Sequence, residues 1–234
     1  MNRFFRRKDL ARLGATALVG LFLLPLTACG DDDDDDNGDD SGNPPGADVD
    51  EGPEIFTTLE LTFSPTGGTA ADDIITTFQD DDGDGVMSGM ITPEMTMLAT
   101  STTYNLSIRL ANTTLPADDQ GEPQEEVMEE DDEHQFFFFG EQINGPATDN
   151  MDAPITHEYA DTDGALPVGF DNTITTDEAA DAGDFTVLLR HLPPADDGTV
   201  IKVAGLAEDL AASGDPADLP GETDISVTFS VGVE

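Results

Sequence analysis

The chain has 234 residues, of which 51 are Asp or Glu and only eight are Lys or Arg, for a net charge of −43. A polyanion of this density repels phosphate backbones and anionic headgroups and draws cations, which excludes nucleic acid as a partner. The lone cysteine, Cys29, rules out an internal disulfide framework, so the fold must rest on burial.

Residues 1–28 read as an export signal. Arg3, Arg6, Arg7, Lys8 and Arg12 form a basic n-region, and residues 13–25 form an apolar stretch. At about thirteen residues that stretch is too short to span a bilayer core of roughly 30 Å. It ends in Leu26-Thr27-Ala28-Cys29, a lipobox. The pattern predicts cleavage before Cys29, lipidation of Cys29 and attachment of the mature protein to a membrane through the lipid anchor. Asp9 occupies the place where a twin-arginine signal wants an apolar residue, which favours Sec export.

The signal holds five basic residues and Asp9, so the other 206 residues carry 50 acidic and three basic side chains, a charge of −47. The three cations are Arg109, Arg190 and Lys202. Self-repulsion on this scale opposes a compact fold in dilute buffer, yet at about 1 M salt the Debye length is only about 3 Å. A halophilic surface accounts for the bulk of the acids.

Residues 29–53 read as an acidic, disordered tether: positions 31–36 are all Asp, followed by Asn, Gly, Ser and Pro with almost nothing apolar. An acidic block directly after a lipidated cysteine resembles the surface-export signal of Bacteroidetes-type lipoproteins. A plain solvated spacer is the other reading.

From residue 54 to 234 the texture becomes period-two alternation. Leu59, Leu61 and Phe63 oppose Thr58, Glu60 and Thr62, and Tyr104, Leu106, Ile108 and Leu110 oppose Asn105, Ser107 and Arg109. The same pattern runs through Phe185, Val187 and Leu189, and through Ile225, Val227, Phe229, Val231 and Val233. Weaker strands are expected at 73–78, 136–139, 156–159, 168–174 and 200–204. Turn signals at Gly67-Gly68, Asn144-Gly145, Asp163-Gly164 and Asp197-Gly198 punctuate them. The expectation is an all-β fold: an antiparallel β-sandwich of Ig-like type with one or two short helical turns, at 125–134 with Val127 and Met128 inward, and at 206–212.

Two constellations point to cations. Asp80, Asp82 and Asp84 stand at alternate positions before Gly85, like the opening of a calcium loop. The twelfth position is Ile91 rather than Glu, so an EF-hand is excluded and a looser calcium loop is left. Glu126, Glu130 and His134 are spaced i, i+4, i+8, one stripe of a helix, and a carboxylate one turn from an imidazole begins a zinc site. His157 and His191 fall near predicted strand ends. Alternation puts His191 in phase with Phe185, Val187 and Leu189, aimed inward or at the sandwich rim. Convergence of His134 with His157 or His191 is what distinguishes a metal site from boundary histidines. Four consecutive Phe at 136–139 read as a strand buried on both faces, and Arg109 and Arg190 as salt-bridge partners.

Glu133-His134-Gln135-Phe136-Phe137-Phe138, Leu189-Arg190-His191-Leu192-Pro193, and Gly221-Glu222-Thr223-Asp224-Ile225-Ser226-Val227 together resemble a group of uncharacterised Bacteroidetes-type outer-membrane lipoproteins often labelled "type 1 periplasmic binding fold". The resemblance implies an outer-membrane lipoprotein and carries no activity with it.

The sequence has no G-x-S-x-G nucleophile elbow, no cysteine other than Cys29 and a single lysine beyond the signal. The expectation is therefore a non-enzymatic lipoprotein that captures divalent zinc or calcium for an outer-membrane transporter. The alternative is a structural or adhesion lipoprotein with an acidic, halophilic surface and no specific ligand.

Overall fold

The computed structural model describes residues 55–67, 72–81, 89–161, 166–195 and 197–234. The expected signal, Cys29, the tether, Asp82 and Asp84 lie outside the described residues.

Among the described residues, eleven strands form two sheets: β1 (Thr58–Pro65), β2 (Ile74–Gln79), β3 (Met90–Thr92), β4 (Thr96–Leu98), β5 (Thr103–Ala111), β6 (His134–Phe139), β7 (Ile143–Asn144), β8 (Ile155–Tyr159), β9 (Asp171–Thr176), β10 (Ala180–His191) and β11 (Glu222–Val233). One sheet runs β3-β2-β1-β5-β9-β8-β7 and the other β4-β11-β10-β6. Most pairs are antiparallel; β4 with β11 and β7 with β8 are parallel. The architecture is the expected all-β sandwich. Its partition of seven and four strands is wider than the four and three of an immunoglobulin constant-type domain.

The alternation builds the core directly. Leu59, Leu61 and Phe63 of β1 and Tyr104, Leu106 and Leu110 of β5 face Phe185, Val187 and Leu189 of β10, all essentially solvent-free. Phe63 meets Phe185 across the two layers edge to face, with centroids 6.3 Å apart. Fully burying such a side chain contributes about 1.5–3 kcal/mol.

Strand β6 is buried on both faces, as its run of phenylalanines implies. Phe136 and Phe138 enter the core between the sheets. Phe137 points the other way, into a second cluster with Leu188, Leu192, Leu206, Leu210 and Leu219. That cluster is roofed by α2 (Leu206–Ser213), which stops at Gly214 in a left-handed conformation (φ 69°), its N–H donating 2.8 Å to the Leu210 carbonyl.

The other helix, α1 (Glu122–Glu129), opens with Pro123 and places Glu122 and Glu125 in its first turn, where the helix dipole favours anions. It is shorter than the expected 125–134 segment at its far end. Val127 is buried as expected, whereas Met128 is 56 % exposed and points outward. The expected strand at 200–204 is irregular backbone, because the segment is held by a buried side chain, Lys202, and by no strand ladder.

Candidate metal centre

Strands β6 and β10 pair antiparallel, and the last couple of their ladder is His134 with His191. Directly opposed residues share a face, so the two imidazoles meet at the end of the sandwich. Their rings stack with centroids 4.6 Å apart and planes 5° from parallel. His134 is fully buried, and the His191 side chain keeps 33 % exposure.

Glu130 arrives by a different route from the one the i, i+4 spacing suggests. The helix ends at Glu129, and Glu130 is its C-cap, its N–H donating to the Glu126 carbonyl at 2.9 Å. A tight turn follows, closed by the Glu133 N–H on the Glu130 carbonyl (2.9 Å), and His134 then opens β6. This turn sets Glu130 Oε2 3.8 Å from His134 Nδ1. Ligand atoms of Glu130, His134 and His191 all lie within 4.8 Å of one another. The expected convergence of His134 with His191 is therefore met.

Two further carboxylates flank the pair. Glu133 Oε2 is 3.5 Å from His191 Nε2, and Asp224 Oδ2 is 3.9 Å from His134 Nε2. Glu133 adjoins His134 in sequence, beside the Glu126, Glu130 and His134 stripe. Asp224 is brought in by pairing of distant strands and has no local signal.

Two buried cations brace this end of the sandwich. Lys202 Nζ donates to the carbonyls of Asp131 (2.5 Å) and His134 (2.7 Å), pinning the turn that carries Glu130 and Glu133. Burial pulls its pKa below the ordinary lysine value, and Asp131, Asp161 and Asp132 oppose that pull. Arg190, expected to bridge to acids, instead spreads its guanidinium over the carbonyls of Leu219, Pro220 and Gly221 and the Thr223 hydroxyl, at 2.6–3.2 Å. Gly221 has φ 75°, and a Cβ there would stand 2.0 Å from the His191 carbonyl oxygen. Only glycine lets that turn close on His191.

The remaining candidate ligands sit elsewhere. Glu126 stays one helical turn behind Glu130 and is not in the close group. His157 belongs to β8 in the opposite sheet, 1 % exposed, its ring 4.3 Å from that of Phe138. Asn172 Nδ2 donates to the Gly169 carbonyl (2.7 Å), so its Oδ1 accepts from His157 Nε2–H at 2.9 Å. His157 Nδ1 has no hydrogen-bond partner among the described residues. Burial lowers the His157 pKa to about 4, the Asn172 hydrogen bond opposing it, so the ring is a neutral core residue. Of the calcium candidates, Asp80 is buried and its N–H donates 2.8 Å to the Thr57 carbonyl.

Two imidazoles and a carboxylate form a nitrogen and oxygen donor set suited to zinc-class ions. Metal–nitrogen bonds of about 2.0–2.1 Å in a tetrahedron put donor atoms about 3.4 Å apart. To close on an ion, donors now within 4.8 Å have to move on the order of 1 Å, and the two stacked rings, whose lone pairs lie in parallel planes, have to tilt out of the stack so that the lone pairs converge. A groove of about 410 Å³ beside α2, lined by Glu141, Asn150, Asp184, Thr186 and Leu210 among others, holds no histidine and no comparable donor set. No family model, no curated protein and no solved structure matches this chain, so the centre rests on its own geometry.

Proposed function

We propose that this chain is an exported, lipid-anchored protein whose β-sandwich captures a divalent transition metal of the zinc class at Glu130, His134 and His191, without catalysis, for delivery to an outer-membrane transporter. The observation that carries the metal reading is the cross-strand stacking of His134 on His191 with Glu130 in the same 4.8 Å group. The side chains of Glu130 and His191 are 44 % and 33 % exposed, so an ion can arrive from solvent while His134 receives it from below. Leu26-Thr27-Ala28-Cys29 supports the anchor. Imidazole donors favour zinc over calcium, which prefers a shell of oxygens.

The alternative, a structural or adhesion protein with no specific ligand, draws its support from the net charge of −43. Zinc calorimetry on the full-length chain separates the two. Metal capture requires a saturable zinc site, strongly weakened in His134→Ala and in His191→Ala, with affinity falling as pH drops through the imidazole range because the ligands must be deprotonated. Zinc uptake that is unsaturable, or unchanged in both variants, favours the ligand-free reading.

A further inference from the structure

The pairing of β10 with β11 slips by one residue beside the metal centre. Leu189 stands opposite Ile225, but Arg190 stands opposite Thr223 and His191 opposite Glu222, so Asp224 is the extra residue of a β-bulge. Bulges re-aim side chains at the ends of sheets and next to functional sites. Here the re-aimed carboxylate comes near the far edge of a buried ring: Asp224 Oδ2 lies 3.9 Å from His134 Nε2, a gap that must close by about 0.5–1 Å before the carboxylate can accept a hydrogen bond from that nitrogen.

The two nitrogens of His134 thus face different partners. Nδ1 lies 3.8 Å from the Glu130 carboxylate and hydrogen-bonds the Glu130 carbonyl oxygen at 3.3 Å; a carbonyl only accepts, so with no ion bound this contact holds the proton on Nδ1, and ion binding has to move it to Nε2. Nε2 looks to Asp224. A neutral imidazole has one proton for two nitrogens, and a metal held with Glu130 takes the Nδ1 lone pair. The proton must then sit on Nε2, where it needs an acceptor, since an unpaired N–H in this fully buried place costs about 1–3 kcal/mol. Were the proton instead kept on Nδ1, donating to the Glu130 carbonyl, the metal-binding lone pair would be lost.

We propose that Asp224 is a positioning residue for the metal centre: by accepting the Nε2 proton of His134 it selects the tautomer that offers Nδ1 to the ion and fixes the plane of the ring. Carboxylates that orient a ligating histidine in this way change metal affinity about 10- to 100-fold when removed. Asp224 also faces Arg190, whose guanidinium its charge favours, so the bulge ties the site to the braced 219–223 turn. This proposal rests on the metal reading of Glu130, His134 and His191.

The test is zinc calorimetry on the full-length parent, Asp224→Asn, Asp224→Glu and His134→Ala, together with nitrogen NMR of the imidazoles in the zinc-loaded parent. Asp224→Asn should lose zinc affinity about 10- to 100-fold while Asp224→Glu restores part of it, and His134 should ligate through Nδ1 with its proton on Nε2. Ligation of His134 through Nε2 overturns the proposal, and that measurement needs no variant to fold. Parent-like zinc affinity in Asp224→Asn, with His134→Ala impaired, overturns it too. Parent-like affinity in His134→Ala removes the metal reading itself and is told apart by that variant.

Discussion

The buried His157 makes the stability of the sandwich depend on pH in a direction that can be worked out. Its pKa falls from 6.5 to about 4 because the ring is desolvated between Phe138, Tyr159 and the β8 backbone. Below pH 6.5 the unfolded chain binds a proton that the folded chain refuses, so acid favours unfolding. The contribution is therefore complete above pH 6.5 and drains away as the pH falls toward about 4, where the folded protein also protonates. At about 1.4 kcal/mol per pH unit the loss comes to about 3 kcal/mol. With an m-value of about 2 kcal/mol per molar urea, that moves the unfolding midpoint by about 1.5 M. Other pH-dependent contributions to stability cancel between parent and variant, so the measurement is a difference. His157→Gln keeps an N–H for Asn172 and removes the titration, and its lost ring packing on Phe138 is independent of pH. Urea midpoints of parent and variant should converge by about 1.5 M between pH 6.5 and pH 4. Curves that run parallel over that span would refute the assignment of His157 as a neutral core residue.

Replacing Lys202 by Met strips the donors from the Asp131 and His134 carbonyls, and should cost about 3 kcal/mol in a urea titration. Because the turn bearing Glu130 is then unpinned, zinc affinity should fall as well; an unchanged unfolding midpoint would show that the pin carries no weight. Stability should rise from dilute buffer to molar KCl, since screening removes repulsion among the excess acids, and a midpoint indifferent to salt would mean they are locally compensated. Cys29→Ser should release the protein from membranes or leave it unprocessed, and a variant that fractionates and migrates like its parent would end the lipid-anchor reading.

The long strands were legible because a half-buried strand writes its burial into the sequence every second residue, as in Ile225 to Val233. Strands of two or three residues, such as β3, β4 and β7, are too short to show a period and exist only through their neighbours. The 200–204 segment misled for the opposite reason: Val200, Ile201 and Val203 look like a strand, yet Val200 and Val203 are about half exposed, and Lys202 is the buried member. Glu130 and His134 come near each other through a tight turn and not the expected helical stripe, since both geometries bring residues four apart together. His191 falls on the face expected from its phase because β10 pairs with β6 in unbroken register from Thr186 to His191. His157 obeys the same rule of phase and points into the core of the other sheet, where the sequence offers no way to tell a ligand from a packed ring. Asp224 was invisible because a bulge is decided by register between strands, not by the residues of either one.

Arg190 and Lys202 give their hydrogen bonds to carbonyl oxygens and one hydroxyl, and their charges act on a few neighbouring acids, Asp224 and Glu222 at Arg190 and Asp131, Asp161 and Asp132 at Lys202, so most of the acidic excess is left uncompensated by them. A divalent ion in dilute solution is then steered toward the protein from beyond contact range, which speeds its arrival and leaves its departure to the ligands. Added salt should slow association and spare the dissociation rate. In brine of about 1 M, where the field is extinguished within about 3 Å, the acidic coat no longer recruits ions, and on the proposed metal reading any discrimination among them would pass to Glu130, His134 and His191.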